Sequence, residues 1–405
     1  MKMKWWKTKG WVLLLMLTLL IPMLSGCWDR LELEDRATIL GLAIDPVEDK
    51  SVGSVSGPYA KSEAPGYQIT AQIAIPGRIP LGPSQGSDSG GSQRPVWVLT
   101  ATGKTLNDAM SMLQKDLADK VFLGHLRAII VNQKLAQAQG MEDVQDYLRR
   151  NPEIRRLAWM VISKTEAKEA MAAAPKLERV PTLYLVGTMD HAVQLGKIPN
   201  EFLGQFWSVE SALGQEPVLP LISVMDDERI SLDGLALFKG YKMVGNLDPI
   251  ETAAFMELLN EPKGGYSLAV PLKGGNSGSV SLQATTRSTR LKLKKINGQP
   301  SFNIYTRIEL NIHENISKVP LKDNIIPLLE QETNDIMQGE QEKLIVRFKR
   351  LQIDPIGFGE YVRGSYSEYW NRRVHSRDDW DKIFVNLPVH CSVQTYIRRA
   401  GVKAT

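Results

Sequence analysis

From Val96 to Ala174 two hydrophobic periods take turns, and that alternation constrains the fold more than any other feature of the sequence. Val96–Thr102, His125–Val131 and Arg156–Ile162 read as strands: short apolar runs, rich in β-branched residues, of strand length. Lys104–Asp119, Gln133–Arg150 and Lys164–Ala174 read as the helices that alternate with them. In the first helix Leu106, Ala109, Met110, Leu113 and Leu117 recur at three- and four-residue spacing and make one apolar face, which is core. Repeated strand–helix alternation argues for helices layered on a mixed sheet. Upstream, Arg36–Asp45 reads as a strand buried on at least one face, and Tyr67–Ile75 alternates like a half-buried strand. The stretches 46–66 and 76–95 are rich in Ser, Gly and Pro, so they are loops.

The second half has a different rhythm. Lys176–Pro220 reads as interrupted helix, with Val180–Leu195 and Asn200–Ser211 as its helical parts and Phe202, Phe206 and Trp207 as a buried seam between domains in preference to a surface groove. A second unit opens near Pro217. Val218–Val224, Ile230–Phe238 and Lys242–Leu247 read as strands, and Asp248-Pro249 starts the helix Ile250–Asn260 with proline in its first turn. Tyr266–Leu272, Ser279–Lys295 and Ser301–His313 read as an antiparallel set. Lys322–Leu351 is the longest helix, Asp354-Pro355 restarts a helix to about Tyr369, Asp378–Asp381 opens a short one, and Val389–Arg398 is a final strand. The expected fold class is α+β or mixed α/β. Each domain is a mixed or antiparallel sheet packed with helices, the C-terminal one carrying one long helix on a small sheet.

The N-terminus places this body. Lys2, Lys4, Lys7 and Lys9 precede an apolar block from Trp11 to Leu24, shorter than the ~20 residues a spanning helix wants. A basic start, a short apolar block and a small-residue exit form the pattern of a secretory signal peptide. Leu24-Ser25-Gly26 directly before Cys27 resembles the lipobox of bacterial lipoproteins, in which the cysteine sulfur receives a diacylglyceryl group, N-acylation being an option. A thiolate is the side chain most readily alkylated by such a donor, and two acyl chains hold firmly where one is marginal. Cys27 is therefore the expected lipidation site, with membrane lipid as a partner through that anchor. The mature chain of about 380 residues exceeds the ~250–300 at which single cores stop growing, so two or three domains are expected. They divide as a leader at 1–26, an N-terminal α/β region at 27–215 that holds one or two domains, and a C-terminal α+β region at 216–402, within which 216–262 is a candidate separate domain.

Charge and motifs exclude more than they suggest. The net charge of +4 is carried by the leader lysines; without them acidic and basic side chains balance, which argues against nucleic acid as a partner. With Cys27 acylated, Cys391 stands alone and reads as a small buried hydrophobe. The histidines at 125, 191, 313, 375 and 390 are scattered, and the sequence holds no H-E-x-x-H, C-x-x-C, calcium loop or G-x-S-x-G. Asp226, Asp227 and Glu228 read as a solvated turn, and Gly274–Gly278 as a turn without the features of a phosphate loop. Arg287, Arg290, Lys292 and Lys294 read as a solvated charged face rather than a lipid-binding one. No catalytic, cofactor or metal residue is expected, and the protein is not read as an enzyme.

Several blocks in order resemble the Ger(x)C family, the C-subunit lipoproteins of nutrient germinant receptors in spore-forming bacteria. They are Gly26-Cys27-Trp28-Asp29-Arg30 with Glu32-Leu33, and Leu42-Ala43-Ile44-Asp45 at a strand end. Gly124-His125-Leu126 before Ile129-Ile130-Val131, and Arg149-Arg150-Asn151-Pro152-Glu153-Ile154-Arg155-Arg156, follow. Near the end come Leu351-Gln352-Ile353-Asp354-Pro355-Ile356-Gly357-Phe358-Gly359 and Trp380-Asp381-Lys382-Ile383-Phe384. The resemblance implies a non-catalytic, lipid-anchored receptor subunit on the outer surface of the spore inner membrane. It also implies two integral membrane partner subunits, one of them transporter-like, and a mixed α/β fold of three domains. Only Cys27 matches a functional position of the family, the lipidated cysteine. The alternative from the residues is a solute-binding lipoprotein of a transporter, which needs two lobes around a cleft.

Overall fold

The structure of the chain, a computed structural model, describes residue 16 and residues 36–47, 66–75, 95–173, 178–225, 229–272, 278–317, 321 and 324–399. Cys27, nearly all of the two Ser/Gly-rich loops, the acidic residues 226–228 and the Gly-rich residues 273–277 lie outside the described residues.

The fold is mixed α+β and built on two sheets, one nine-stranded and one four-stranded among the described residues. In the first, β1 (Arg36–Val47) is central; β2 (Gly66–Ala74) pairs antiparallel with it, and β3 (Val96–Gly103) antiparallel with β2. A short β4 (Lys120–Phe122), which periodicity does not reveal, runs parallel to the start of β1. On the other side of β1, β5 (Ala128–Asn132) and then β6 (Trp159–Ser163) follow in parallel. Every residue of β5 and β6 is buried, as strands covered on both faces must be. Ile129, Val131, Met160 and Ile162 face α1 (Leu106–Lys115), α2 (Gln133–Ala138), α3 (Glu142–Arg150) and α6 (Leu203–Glu210). Ala128, Ile130, Trp159 and Val161 face α4 (Ala167–Ala170) and α5 (Pro181–Gln194). The single helix expected over Gln133–Arg150 is two, because Gly140 turns the chain at φ +83° and the Met141 N–H donates to the Tyr241 carbonyl at 2.9 Å.

The segment 216–262 continues the same sheet. β7 (Val218–Val224) runs parallel to β6 through Ile162/Leu221 and Ser163/Ile222, and β8 (Ile230–Lys239) and β9 (Lys242–Leu247) add antiparallel. α7 (Pro249–Leu258) opens on a reciprocal cap, Asp248 accepting from the Glu251 N–H at 2.8 Å while Glu251 accepts from the Asp248 N–H at 3.1 Å.

The second sheet is β10 (Ser267–Pro271), β11 (Ser279–Ile296), β12 (Gln299–Asn315) and β13 (Val389–Arg399). β11 and β12 join through Asn297-Gly298, both at positive φ (50° and 75°), which suits the twist of a two-residue hairpin. The long helix α8 (Ile326–Leu351) lays Leu329, Met337, Leu344 and Phe348 against this sheet and α7. It and the short helices α9 (Phe358–Ser365), α10 (Ser367–Arg373) and α11 (Arg377–Val385) form the crossover that makes β13 parallel to β12. The helix expected from Asp354 starts only at Phe358, and residues 354–357 form a loop. One apolar cluster spans both sheets: Trp159, Val161 and Leu185 share it with Phe255, Phe302, Phe348, Phe358 and Trp380.

Candidate functional site

Cys27 lies outside the described residues, so the site is built from the other blocks, which the fold gathers into three clusters. The first is at the far end of β1. Asp45 is buried, and its Oδ1 accepts from the Asn132 side chain at 2.8 Å and the Ala167 N–H at 2.7 Å, its Oδ2 from the Lys168 N–H at 2.9 Å. Leu-Ala-Ile-Asp thus places near the end of β1, which runs on to Val47, a carboxylate that holds β5 and α4 to it.

The second cluster joins the Gly124 and Asn151–Arg156 blocks. Glu153 Oε2 accepts from the Leu123 N–H at 2.9 Å, and Asn151 Oδ1 accepts from the Glu153 N–H at 3.0 Å. Gly124 packs so tightly on Phe122 that a Cβ there would sit 2.3 Å from the ring. Beside this turn a groove of about 980 Å³ runs between α1 and α3, lined by Tyr67, Met110, Asp143, Tyr147 and Arg150 among others. The Tyr67 hydroxyl donates to Asp143 Oδ2 at 3.0 Å; burial and that carboxylate push its pKa up.

The third cluster joins the two C-terminal blocks to the connection between α6 and β7. Asp354 is fully buried; its Oδ1 accepts from the Gly357 N–H at 2.9 Å, its Oδ2 from the Gly359 N–H at 2.9 Å and the Trp380 Nε1–H at 3.0 Å. The Asp354 N–H donates to Glu216 Oε2 at 2.7 Å, and the Glu216 N–H returns to the Asp354 carbonyl at 3.1 Å. Arg377 donates to the carbonyls of Glu210 and Ala212 and lies 4.0 Å from Glu216. Burial pushes Asp354 up to about 6 and Glu216 up to about 8. The adjoining cavity of about 480 Å³ is lined by Gln215, Glu360 and Arg363, not by these two carboxylates. Both Asp354 oxygens and Glu216 Oε2 are turned to backbone donors and the Trp380 indole, which ties these segments together, while Glu216 Oε1 is buried without a hydrogen-bond partner among the described residues, 4.0 Å from Arg377.

A further buried network has no counterpart among the sequence motifs. Glu257 accepts from the Tyr266 hydroxyl and from Gln341 Nε2 (2.7 Å), and burial pushes it up to about 7. Arg287 is buried and donates to the carbonyls of Glu261 (2.8 Å), Gly264 (3.1 Å) and Gly196 (3.1 Å), joining the loop after α5 to the second sheet. This corrects the reading of Arg287 as part of a solvated face; Arg290, Lys292 and Lys294 are exposed. The signal was present, since an odd spacing between 287 and 290 puts the two on opposite faces of a strand. Among the described residues, no group of three or more His, Cys, Asp or Glu side chains could hold a metal ion. Cys391 is buried and its thiol is pushed up to about 12 by burial, an inert position. Phe202 packs on Trp159 with ring centroids 4.5 Å apart, and Trp207 Nε1 donates to Gln145 at 2.6 Å.

Comparison with known proteins decides the family. Residues 29–224 match the family model described as the spore germination protein N-terminal domain. Residues 233–401 match that of the spore germination B3/GerAC-like C-terminal domain. The chain belongs to the Ger(x)C family. Among relatives of this Ger(x)C protein, spore germination protein KC of Bacillus subtilis (strain 168) is 26% identical, with 97% of this chain and 96% of that one covered. The putative spore germination protein YfkR of the same organism is 27% identical over 95% of each. The crystal structure of the GerBC protein shares the fold, with a TM-score of 0.55, 16% identity, and coverage of 88% of this chain and 97% of that one. The interval between the two family models, residues 225–232, runs from the end of β7 into the first residues of β8, and these two strands are antiparallel partners in one sheet. No helix among the described residues of this Ger(x)C protein is long and apolar enough to cross a membrane.

Proposed function

We propose that this Ger(x)C protein is the lipid-anchored, non-catalytic C subunit of a nutrient germinant receptor, needed for germination in response to nutrients. The observation that carries this is the match of both family models, over residues 29–224 and 233–401, behind a leader that ends in Leu-Ser-Gly directly before Cys27. Residues 1–26 are the signal peptide and Cys27 the acylated residue. The N-terminal region, 27–215, and the C-terminal region, 216–402, sit at the outer surface of the spore inner membrane and join two integral membrane subunits, one transporter-like. The scaffold role is supported by the use of the buried carboxylates Asp45, Glu216 and Asp354 as acceptors for backbone N–H groups. A solute-binding lipoprotein needs two lobes that hinge about a cleft; a single apolar cluster shared by both sheets supports a rigid body instead.

Two measurements test the reading. Mass spectrometry of the mature N-terminal peptide is expected to begin at Cys27 with a diacylglyceryl mass; an unmodified Cys27 overturns the anchor. Affinity purification from detergent-solubilised spore membranes is expected to bring down two multispanning proteins. Recovery of transporter permease and ATPase components instead favours the solute-binding alternative.

A further inference from the structure

We propose that the edge of the nine-stranded sheet at which β1, β3, β5 and β6 begin is a docking face for an anionic lipid surface. It rests on the lipid-anchor reading of Cys27 for its place in the cell, though not for its test. Arg36 opens β1, and Lys120 opens β4 beside it. The chain leads into β5 through His125-Leu126-Arg127 and into β6 through Arg155-Arg156-Leu157, the Trp159 N–H donating to the Arg127 carbonyl at 2.8 Å to hold these strand starts side by side. β3 begins at Val96-Trp97, level with Ile73 of β2 and Ile39 of β1. From β3 to β6 the edge spans four strand steps, about 19 Å.

Its side chains have the composition of an interfacial surface. Lys120, His125, Arg127, Arg155 and Arg156 are exposed. Among the described residues, no carboxylate lies within ion-pair distance of Lys120, Arg127, Arg155 or Arg156. Arg36 stacks its guanidinium 4.5 Å from the Phe122 ring centre. Leu157, at 74% exposure, is the most exposed large apolar side chain among the described residues, and Trp97 is 46% exposed. Asp116, Asp119 and Glu153 are the acids of the same stretch, Glu153 being turned inward to the Leu123 N–H, and Glu201, pushed up to about 8 by burial, lies beside the start of β6. Cations that meet phosphate beside apolar side chains that enter the headgroup layer are the combination interfacial binding uses.

Chain length lets this edge reach the membrane. Nine peptide steps separate Cys27 from Arg36, so an acylated Cys27 holds Arg36 within about 32 Å of the bilayer. The same stretch carries Asp29, Glu32, Glu34 and Asp35 against Arg30, which makes the tether itself the competing occupant.

The test uses the mature chain from residue 27 with Cys27→Ser, made without leader or lipid, sedimented with vesicles of phosphatidylglycerol or of phosphatidylcholine. Binding is expected to the first and not the second, and to weaken as salt is added. Each cation near an anionic surface strengthens binding about five-fold, so Arg155→Glu/Arg156→Glu is expected to weaken it roughly thirty-fold or more. Leu157→Ser is expected to weaken it several-fold, and Arg290→Glu/Lys292→Glu on β11 to leave it unchanged. Equal binding to both vesicle types, or full binding by the Arg155→Glu/Arg156→Glu chain with an unaltered melting temperature, overturns the proposal. Binding that appears only after Asp29, Glu32, Glu34 and Asp35 are changed to Asn or Gln also overturns it and assigns the edge to the tether. The protein carries no acyl chain, so failure here is distinct from failure of Cys27 acylation, which the N-terminal peptide reports.

Discussion

At Asp354 a single carboxylate closes its own loop, receives the Trp380 indole and, through the adjoining backbone, takes hold of Glu216. All three of these bonds are buried. Asp354→Ala strands three buried N–H groups, and each such loss costs on the order of 1–3 kcal/mol. A fall in stability of about 3 kcal/mol or more is expected in urea unfolding; a change under about 1 kcal/mol would remove Asp354 as the closure. Glu216 makes a separate prediction about pH. Its pKa is raised by burial from 4.5 to about 8, so across that interval the folded chain keeps a proton that the unfolded chain has released. The stability this contributes is full below 4.5 and is lost as pH rises through about 8. Glu216→Gln is expected to show a shallower decline of the unfolding midpoint over that window. Some decline remains, because Glu201, at about 8, and Glu257, at about 7, are shifted in the same direction. An unchanged slope would mean Glu216 titrates normally.

Between elements, Arg287 is the main tie from β11 to the loop after α5. Arg287→Leu leaves three carbonyls without their donor and Glu257 without a nearby cation. A loss of about 3 kcal/mol is expected, with faster amide hydrogen exchange around residues 196–198 and 261–266; exchange unchanged there would show that the loop is held by packing alone. The elements themselves were largely legible. β7 and β9 fall where their apolar patterns put them, and β8 runs one residue further than its pattern. The misses have physical reasons. β4 is three residues long, too short for a period to register. The break at Gly140 is a single left-handed residue within a continuous helical pattern. The parallel pairing of β13 depends on where α8 returns the chain, and no local pattern holds that information. Asp354 and Trp380 are visible as blocks, but their meeting with Glu216, 138 residues away in sequence for Asp354, is a product of the fold.

The two sheets are joined twice, by Arg287 on β11 reaching the loop after α5 and by the apolar cluster that runs from Trp159 to Trp380. That continuity predicts one cooperative unfolding transition for the mature chain, the same by far-ultraviolet circular dichroism and tryptophan fluorescence. Two separated transitions would mean the two sheets fold as independent bodies. In the role proposed above, such a body would brace membrane partners from one end, and the proposed anchor is Cys27. The most direct measurement is germination and membrane fractionation of spores that carry Cys27→Ala in place of the native protein. The account predicts that the variant leaves the membrane fraction or fails to mature, and that nutrient-triggered germination falls while nutrient-independent germination is unchanged. A Cys27→Ala protein that stays with the membrane and supports normal nutrient germination would contradict it.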